Sequence, residues 1–293
     1  EDFFKGKMGQ FFTPRNIVQF VIKMMDIKTE DFVLDPACGS GGFLLNALDT
    51  IRKDAEAEID DPVEAHSTWH NFAANNLYGI EINDQIARVC KMNMIIHDDG
   101  HTNVISRSSL DDFNDIKTQH KGFKKDHFDV IITNPPFGAV IKKNGKEDKY
   151  LDKFELGKNK SSQKTEILFI ERCIDFLKPE TGRMGIVLPD GILTNSSLQY
   201  VRDFIMERCE ILAVISLPQF AFSHYGAGVK SSLVFLRRKG KDEVLEDYSI
   251  FMTMADRIGY DATGREDSVN DLLDTIYPEY LKFKADRNNY EGC

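Results

Sequence analysis

The sequence predicts a doubly wound α/β fold built on a mostly parallel sheet, and three observations predict it. Short β-rich apolar runs alternate with helical stretches along most of the 293 residues. A glycine-rich turn joins the first run to a helix, as FVLDPACGSGG followed by FLLNALDTIRKDAEA. The last two runs, ILAVISLP and GVKSSLVFLRRK, have no clear helix between them, which puts one antiparallel strand near an edge of the sheet.

Each element has its own signal. In NIVQFVIKMMDI, Ile17, Val18, Val21, Ile22 and Met25 recur at helical spacing behind a Thr13-Pro14 start. FVLD then reads as a short buried strand. LYGIEIN is a second strand, ending in an acid, and DQIARVCKMNMIIHD the helix after it. VISRSSL and HFDVIITN read as strands three and four. Beyond a long polar stretch, TEILFIERCIDFLK is helical, GRMGIVLP a strand and SLQYVRDFIMERC a helix leading to the final pair. Leu272, Leu273 and Ile276 again show helical spacing, either as a surface helix or as an edge meeting another subunit.

Composition limits the function. A 42% hydrophobic content suffices for a core, and no apolar run is long enough for a membrane span. The net charge of −10 argues against a self-sufficient nucleic-acid binder but leaves room for a local basic patch or a basic partner. Cys38, Cys90, Cys173, Cys209 and Cys293 form no C-x-x-C pair, so neither a zinc site nor a disulfide framework is expected, and a reducing cytoplasm is the simplest setting. The chain begins on Glu1 rather than Met and is read as a fragment of a longer protein. Residues 142–164 hold eight lysines against four acids. That excess reads as a solvated surface loop or as a loop that touches phosphates, and its position directly after NPPFG raises the second reading.

Two acids flank the glycine turn. Ligands bind at the carboxyl ends of strands in open parallel sheets, and Gly39, Gly41 and Gly42 allow a sharp bend and a close approach. No Lys-Ser/Thr follows the glycines, so this is not a P-loop, and Asp35 would repel a pyrophosphate while welcoming a cation. Glu81, ending the second strand, is placed to accept from the two hydroxyls of a ribose. Taken alone, the turn also reads as a plain strand–helix connection and Glu81 as a solvated carboxylate. Together they suggest a nucleoside bearing a positive group and an amino acid, features of S-adenosylmethionine. In DVIITNPPFG, two prolines end the sheet ladder and hold Asn134 extended, a rigid platform for one amide at the end of a strand.

GQFFTPRNIV, DPACGSGGFL, GIEIN, NPPFG, GRMGIVLPDGIL and GVKSSLVFL, in this order from about Gly9 to Lys239, resemble the modification (methyltransferase) subunit of type I restriction-modification systems, in the N6-adenine DNA methyltransferase family. The resemblance implies a Rossmann-like methyltransferase sheet of seven strands, one of them antiparallel. It implies a catalytic domain over residues 1–260, a helical extension over 261–293, and a family N-terminal helical domain outside this chain. Gln10, Phe12, Thr13 and Pro14 would then lie over S-adenosylmethionine. Asp35, Ala37 and the turn Cys38, Gly39, Ser40, Gly41 and Gly42 would meet its methionine part. Glu81 would take the ribose, and Ser109 or Asp111 the adenine ring. No metal is implied.

The implied reaction is methylation of the N6 amine of an adenine flipped out of double-stranded DNA, since N6 lies inside the stack. The Asn134 and Pro135 carbonyls would accept the two N6 hydrogens, Pro136 would stiffen the turn, and Phe137 would stack on the base. Phe220, Phe222 and Tyr225 would form a second aromatic wall or simply pack in the core, with His224 a surface or supporting residue. Glu166 reads equally as a helix N-terminal acid, and Asp190 as a turn residue. The implied partners are a specificity subunit, a restriction subunit and a second modification subunit. The alternatives are a stand-alone or fused adenine methyltransferase, one acting on RNA or protein, or a non-catalytic scaffold.

Overall fold

In the computed structural model, residues 12–98, 103–144, 150–223, 228–287, 289 and 290 are described. Helix α1 (Arg15–Met25) starts behind Pro14, whose fixed φ suits a helix entry, and ends where Asp26 turns left-handed at φ 47°. Strand β1 (Val33–Asp35) leads through the glycine turn into α2 (Gly42–Glu58), and α3 (Pro62–Asn76) returns to β2 (Leu77–Glu81). Then come α4 (Asp84–Ile96), β3 (Val104–Ser106), α5 (Phe113–Gln119) and β4 (Val130–Thr133). A small hairpin, β5 (Val140–Lys142) and β6 (Ser162–Lys164), precedes α6 (Thr165–Phe176) and β7 (Arg183–Pro189). Helices α7 (Asp190–Thr194) and α8 (Gln199–Arg208) lead to β8 (Cys209–Ser216), β9 (Ser231–Arg238) and β10 (Phe251–Met254). A last hairpin, β11 (Ile258–Tyr260) and β12 (Glu266–Asn270), and a π-helical turn end in α9 (Tyr277–Ala285).

The main sheet runs β10-β8-β9-β7-β4-β1-β2-β3. Strand β9 is antiparallel to both β7 and β8, and the other pairings are parallel. Successive side chains of a strand point to opposite faces, and for the central strands both faces are buried. Val33, Val130, Ile132, Val187, Leu233 and Phe235 join one buried cluster with α1, α2 and α9. Leu34, Ile131, Ile186, Leu188, Val234 and Leu236 join another with α5, α6 and α8. Continuous apolar strands are what a sheet covered by helices on both sides requires.

Two expectations change. The sheet has eight strands rather than seven among the described residues, because β10 adds in parallel to β8, with Phe251 opposite Ala213. The boundary expected at residue 260 falls inside the β11–β12 hairpin, whose strands pair Ile258 with Asn270. The segment beyond it folds back on the same core through Leu272, Ile276, Tyr280 and Phe283. Helix α3 was signalled but not anticipated: the Asp61 carboxylate accepts from Val63 N, and Pro62 occupies the first turn. Among the described residues no helix is long and apolar enough to cross a membrane.

Candidate active site

The chain lays β1, β2 and β3 side by side, then crosses back to place β4 on the other side of β1. The carboxyl ends of β1 and β4 therefore flank the point where strand order reverses, where open α/β sheets bind ligands. A cleft of about 410 Å³ opens there.

Asp35 ends β1 and is 1% exposed. Its Oδ1 accepts from Ala37 N at 3.0 Å and from Thr133 Oγ1 at 2.8 Å, the latter tying β1 to β4 across the reversal. Burial pushes its carboxyl up to about 7, with the nearby Glu81 adding to the rise and the two hydrogen bonds opposing it. Glu81 is also buried, and its two oxygens accept from Gly39 N at 3.1 Å and Asn83 N at 2.8 Å. The acid at the end of β2 thus shapes the glycine turn of β1. A side chain would point into open space from Gly39, at φ +51°, and from Gly42. At Gly41, with φ +93°, an added Cβ would stand 2.9 Å from Cys90 Sγ. Gly41→Ala is therefore expected to lower stability by about 1–3 kcal/mol, read as a lower urea midpoint at unchanged slope.

Asn134 follows β4 directly. Its Nδ2 donates to Thr13 Oγ1 at 3.1 Å, while its Oδ1 is buried without a hydrogen-bond partner. An unmade bond of that kind costs about 1–3 kcal/mol, so the acceptor is held ready rather than used. The turn after it is braced from α6. Thr165 Oγ1 lies 3.0 Å from Pro136 O and 3.2 Å from Ala139 O, and the buried Glu166 carboxylate accepts from Gly138 N at 3.2 Å. Sequence reasoning had no way to see that Glu166 holds this turn, because the contact joins residues 28 apart.

Phe12, Thr13, Asp35, Ala37, Cys38, Gly39, Ser40, Gly42, Glu81, Asn134, Pro135 and Pro136 all line the cleft. Pro14 instead caps α1, Gly41 turns toward Cys90, and Gln10, His224 and Tyr225 lie outside the described residues. Two expectations, for Asp111 and Phe137, need correction. The Asp111 carboxylate pairs with Arg107 Nε at 3.0 Å, and the cleft is lined there by Arg107, Ser108, Ser109 and Leu110. Ser109 does line the cleft, and its hydroxyl donates to Pro36 O. Phe137 is 9% exposed and packed in the core, so its ring is not presented to the cleft, whereas for Phe222 the core alternative is the one found, and Phe220 packs edge-on against Tyr260. Asp190, read as a turn residue, instead opens α7 and accepts from Ser232 Oγ on β9 at 2.7 Å.

An open, mostly parallel sheet with one reversed strand, a glycine turn after β1 and acids ending β1 and β2 define the S-adenosylmethionine-dependent methyltransferase fold. The chain belongs to the N-6 DNA Methylase family, whose sequence profile matches residues 3–288. It is 28% identical over 242 residues to the methylase subunit of the type I restriction enzyme EcoEI of Escherichia coli, covering 80% of this chain and 43% of that protein. It is 28% identical over 233 residues to the type II restriction enzyme and methyltransferase RM.BcgI of Heyndrickxia coagulans, covering 78% of this chain and 31% of that protein. The chain thus spans less than half the length of these relatives. The fold matches the methyltransferase subunit of a type I restriction-modification system from Streptococcus thermophilus, with a TM-score of 0.68 at 20% identity, over 99% of this chain and 56% of that one.

Proposed function

We propose that the chain transfers a methyl group from S-adenosylmethionine to the N6 amine of an adenine flipped out of duplex DNA, as part of the modification subunit of a type I restriction-modification complex in the cytoplasm. The observation that carries this reading is the buried, unpartnered Asn134 Oδ1 at the strand-order reversal.

The residues fit the cofactor. Asp35 is an acid sealed from water that a cation would bring into its charged form, and the open space above Gly39 and Gly42 admits a close ligand. Asp35 and the Cys38–Gly42 turn would hold the methionine part, and Glu81 the ribose. Arg107, Ser108, Leu110, Ile82 and Ile86 would surround the adenine ring. When bound, the cofactor supplies a methyl group on a sulfonium.

The protein's own task is to make a poor nucleophile attack. The N6 lone pair is delocalised into the purine ring. The Asn134 Oδ1 accepts one N6 hydrogen and the Pro135 carbonyl the other, which draws the amine toward a tetrahedral shape and aims its lone pair. Positioning and fixed dipoles lower the barrier without a strong base. Thr165 and Glu166 keep that turn in register. Thr165→Val and Glu166→Ala are expected to lower kcat about tenfold to a hundredfold, while Glu166→Gln, which can still accept from Gly138 N, retains most of it. Single-turnover methyl transfer checks this.

The test of the function is transfer of a labelled methyl group by the full-length protein with its partner subunits, offered duplex DNA, tRNA and protein. Label is expected on DNA adenine, and label on protein or RNA alone would exclude the reading. Recognition of sequence is assigned to a specificity subunit, and a restriction subunit and a second modification subunit complete the assembly. The similarity to RM.BcgI favours a second reading, a fused type II enzyme. Methylation of specific sites by the full-length chain without any partner would select it.

A further inference from the structure

Resting on the reading that DNA is the acceptor, we propose that the β5–β6 hairpin and the turns at residues 150–161 that lead into its second strand form an arm that grips the phosphates beside the target base. The arm is built into the cleft: Ala139 and Ile141 at its first strand and Thr165 just after its second line the wall. Its register pairs Val140 with Lys164, Ile141 with Gln163 and Lys142 with Ser162. Directly opposed residues of an antiparallel pair share a face. Lys142 and Lys164 therefore stand on the same outer face, both exposed, while the buried Gln163 turns inward and donates to Tyr200 Oη at 3.0 Å. The turns rest on a core of their own, formed by Leu151, Phe154, Leu168 and Phe169 with Leu110, so the arm is a folded element.

Among the described residues its charge is not cancelled locally. Asp152 is paired with Lys143 at 2.7 Å, and Glu155 with Arg208 at 2.7 Å. Lys142, Lys153, Lys158 and Lys160 have no carboxylate partner among the described residues. Two of them lie over tyrosine rings, Lys153 over Tyr150 at 5.6 Å and Lys160 over Tyr200 at 4.0 Å. A chain with net charge −10 thus carries, among the described residues, a positive arm rooted in the wall of the cleft where a base must enter. Ammonium groups act as point charges on phosphate and read no sequence, which suits a grip that leaves recognition to another subunit.

The test compares the full-length assembly carrying Lys142→Ser, Lys153→Ser, Lys158→Ser and Lys160→Ser with one carrying Arg at the same four positions. The probe is a labelled duplex of mixed sequence, titrated at several salt concentrations. The Ser variant is expected to bind at least about tenfold more weakly at ~0.1 M salt, with the slope of log affinity against log salt shallower by about 2–4. The Arg variant is expected to keep both values, and cofactor affinity to stay unchanged in each. A Ser variant with wild-type affinity and slope would overturn the proposal, as would equal losses in both variants. Loss of a partner subunit from the Ser variant with an unchanged slope would assign the arm to a protein surface and also overturn it. A wild-type assembly that methylates only RNA or protein defeats the underlying reading. One that methylates DNA, beside a Ser variant of unchanged slope, defeats the arm alone.

Discussion

Asn134→Ala is expected to lower methyl transfer by about 10²–10⁴-fold while leaving cofactor affinity within severalfold. The substitution removes the oxygen that accepts an N6 hydrogen and leaves Asp35, Glu81 and the glycine turn untouched. It also removes a buried acceptor that has no partner. The variant should therefore be no less stable than the parent, to within about 1 kcal/mol, even though the Thr13 contact is lost. Single-turnover transfer, calorimetric cofactor titration and thermal melting read the three quantities separately. A large loss of cofactor binding would show that the amide supports the cofactor instead of the amine. A large loss of stability would show that its oxygen is satisfied in the folded protein.

The second large effect belongs to Asp35. Its carboxyl sits near 7 in the folded protein against an ordinary value of 3.8, and burial is the main cause. A carboxyl raised in this way contributes most to stability below its unfolded value, and that contribution is lost as pH rises through about 7. Asp35→Asn keeps an oxygen for Ala37 N and Thr133 Oγ1 and cannot ionise. At pH 8 the ligand-free variant is expected to be more stable than the parent by on the order of 2–4 kcal/mol, with the gap closing toward pH 4. Cofactor binding should move the other way. The parent should bind more tightly between pH 6 and 8 as the carboxylate forms, while the variant stays weak, by about 10–100-fold at pH 8, and flat with pH. A parent whose affinity is independent of pH across that range would remove Asp35 from the cation's environment.

What could be read from sequence was local. The glycine turn, the strand-end acids and the diproline platform are each specified within a few residues, and the structure brings them to one cleft. What could not be read depends on partners distant in the chain. Glu166 reads as a plain helix-start acid until Gly138, 28 residues earlier, is found donating to its carboxylate. Phe137 has the composition of a stacking wall, but a sheet covered on both faces absorbs it into the core. The edge strand β10 is four residues long and gains its identity only by pairing with β8, so FMTM alone gave little signal. The free valence of Asn134 Oδ1 appears only after Thr13, 121 residues earlier, claims the amide nitrogen.

The insertion of β4 beside β1 also constrains the order in which the molecule can be made. Val33 lies opposite both Leu77 and Val130. A nascent chain emerging from the ribosome can assemble β1, β2 and β3 well before the strand preceding Asn134 has been synthesised. Until then the open edge of β1 is exposed to mispairing, and closing it requires a contact of long sequence separation, the slow kind. During synthesis, then, the nucleoside cleft closes late, only once Thr133 reaches Asp35.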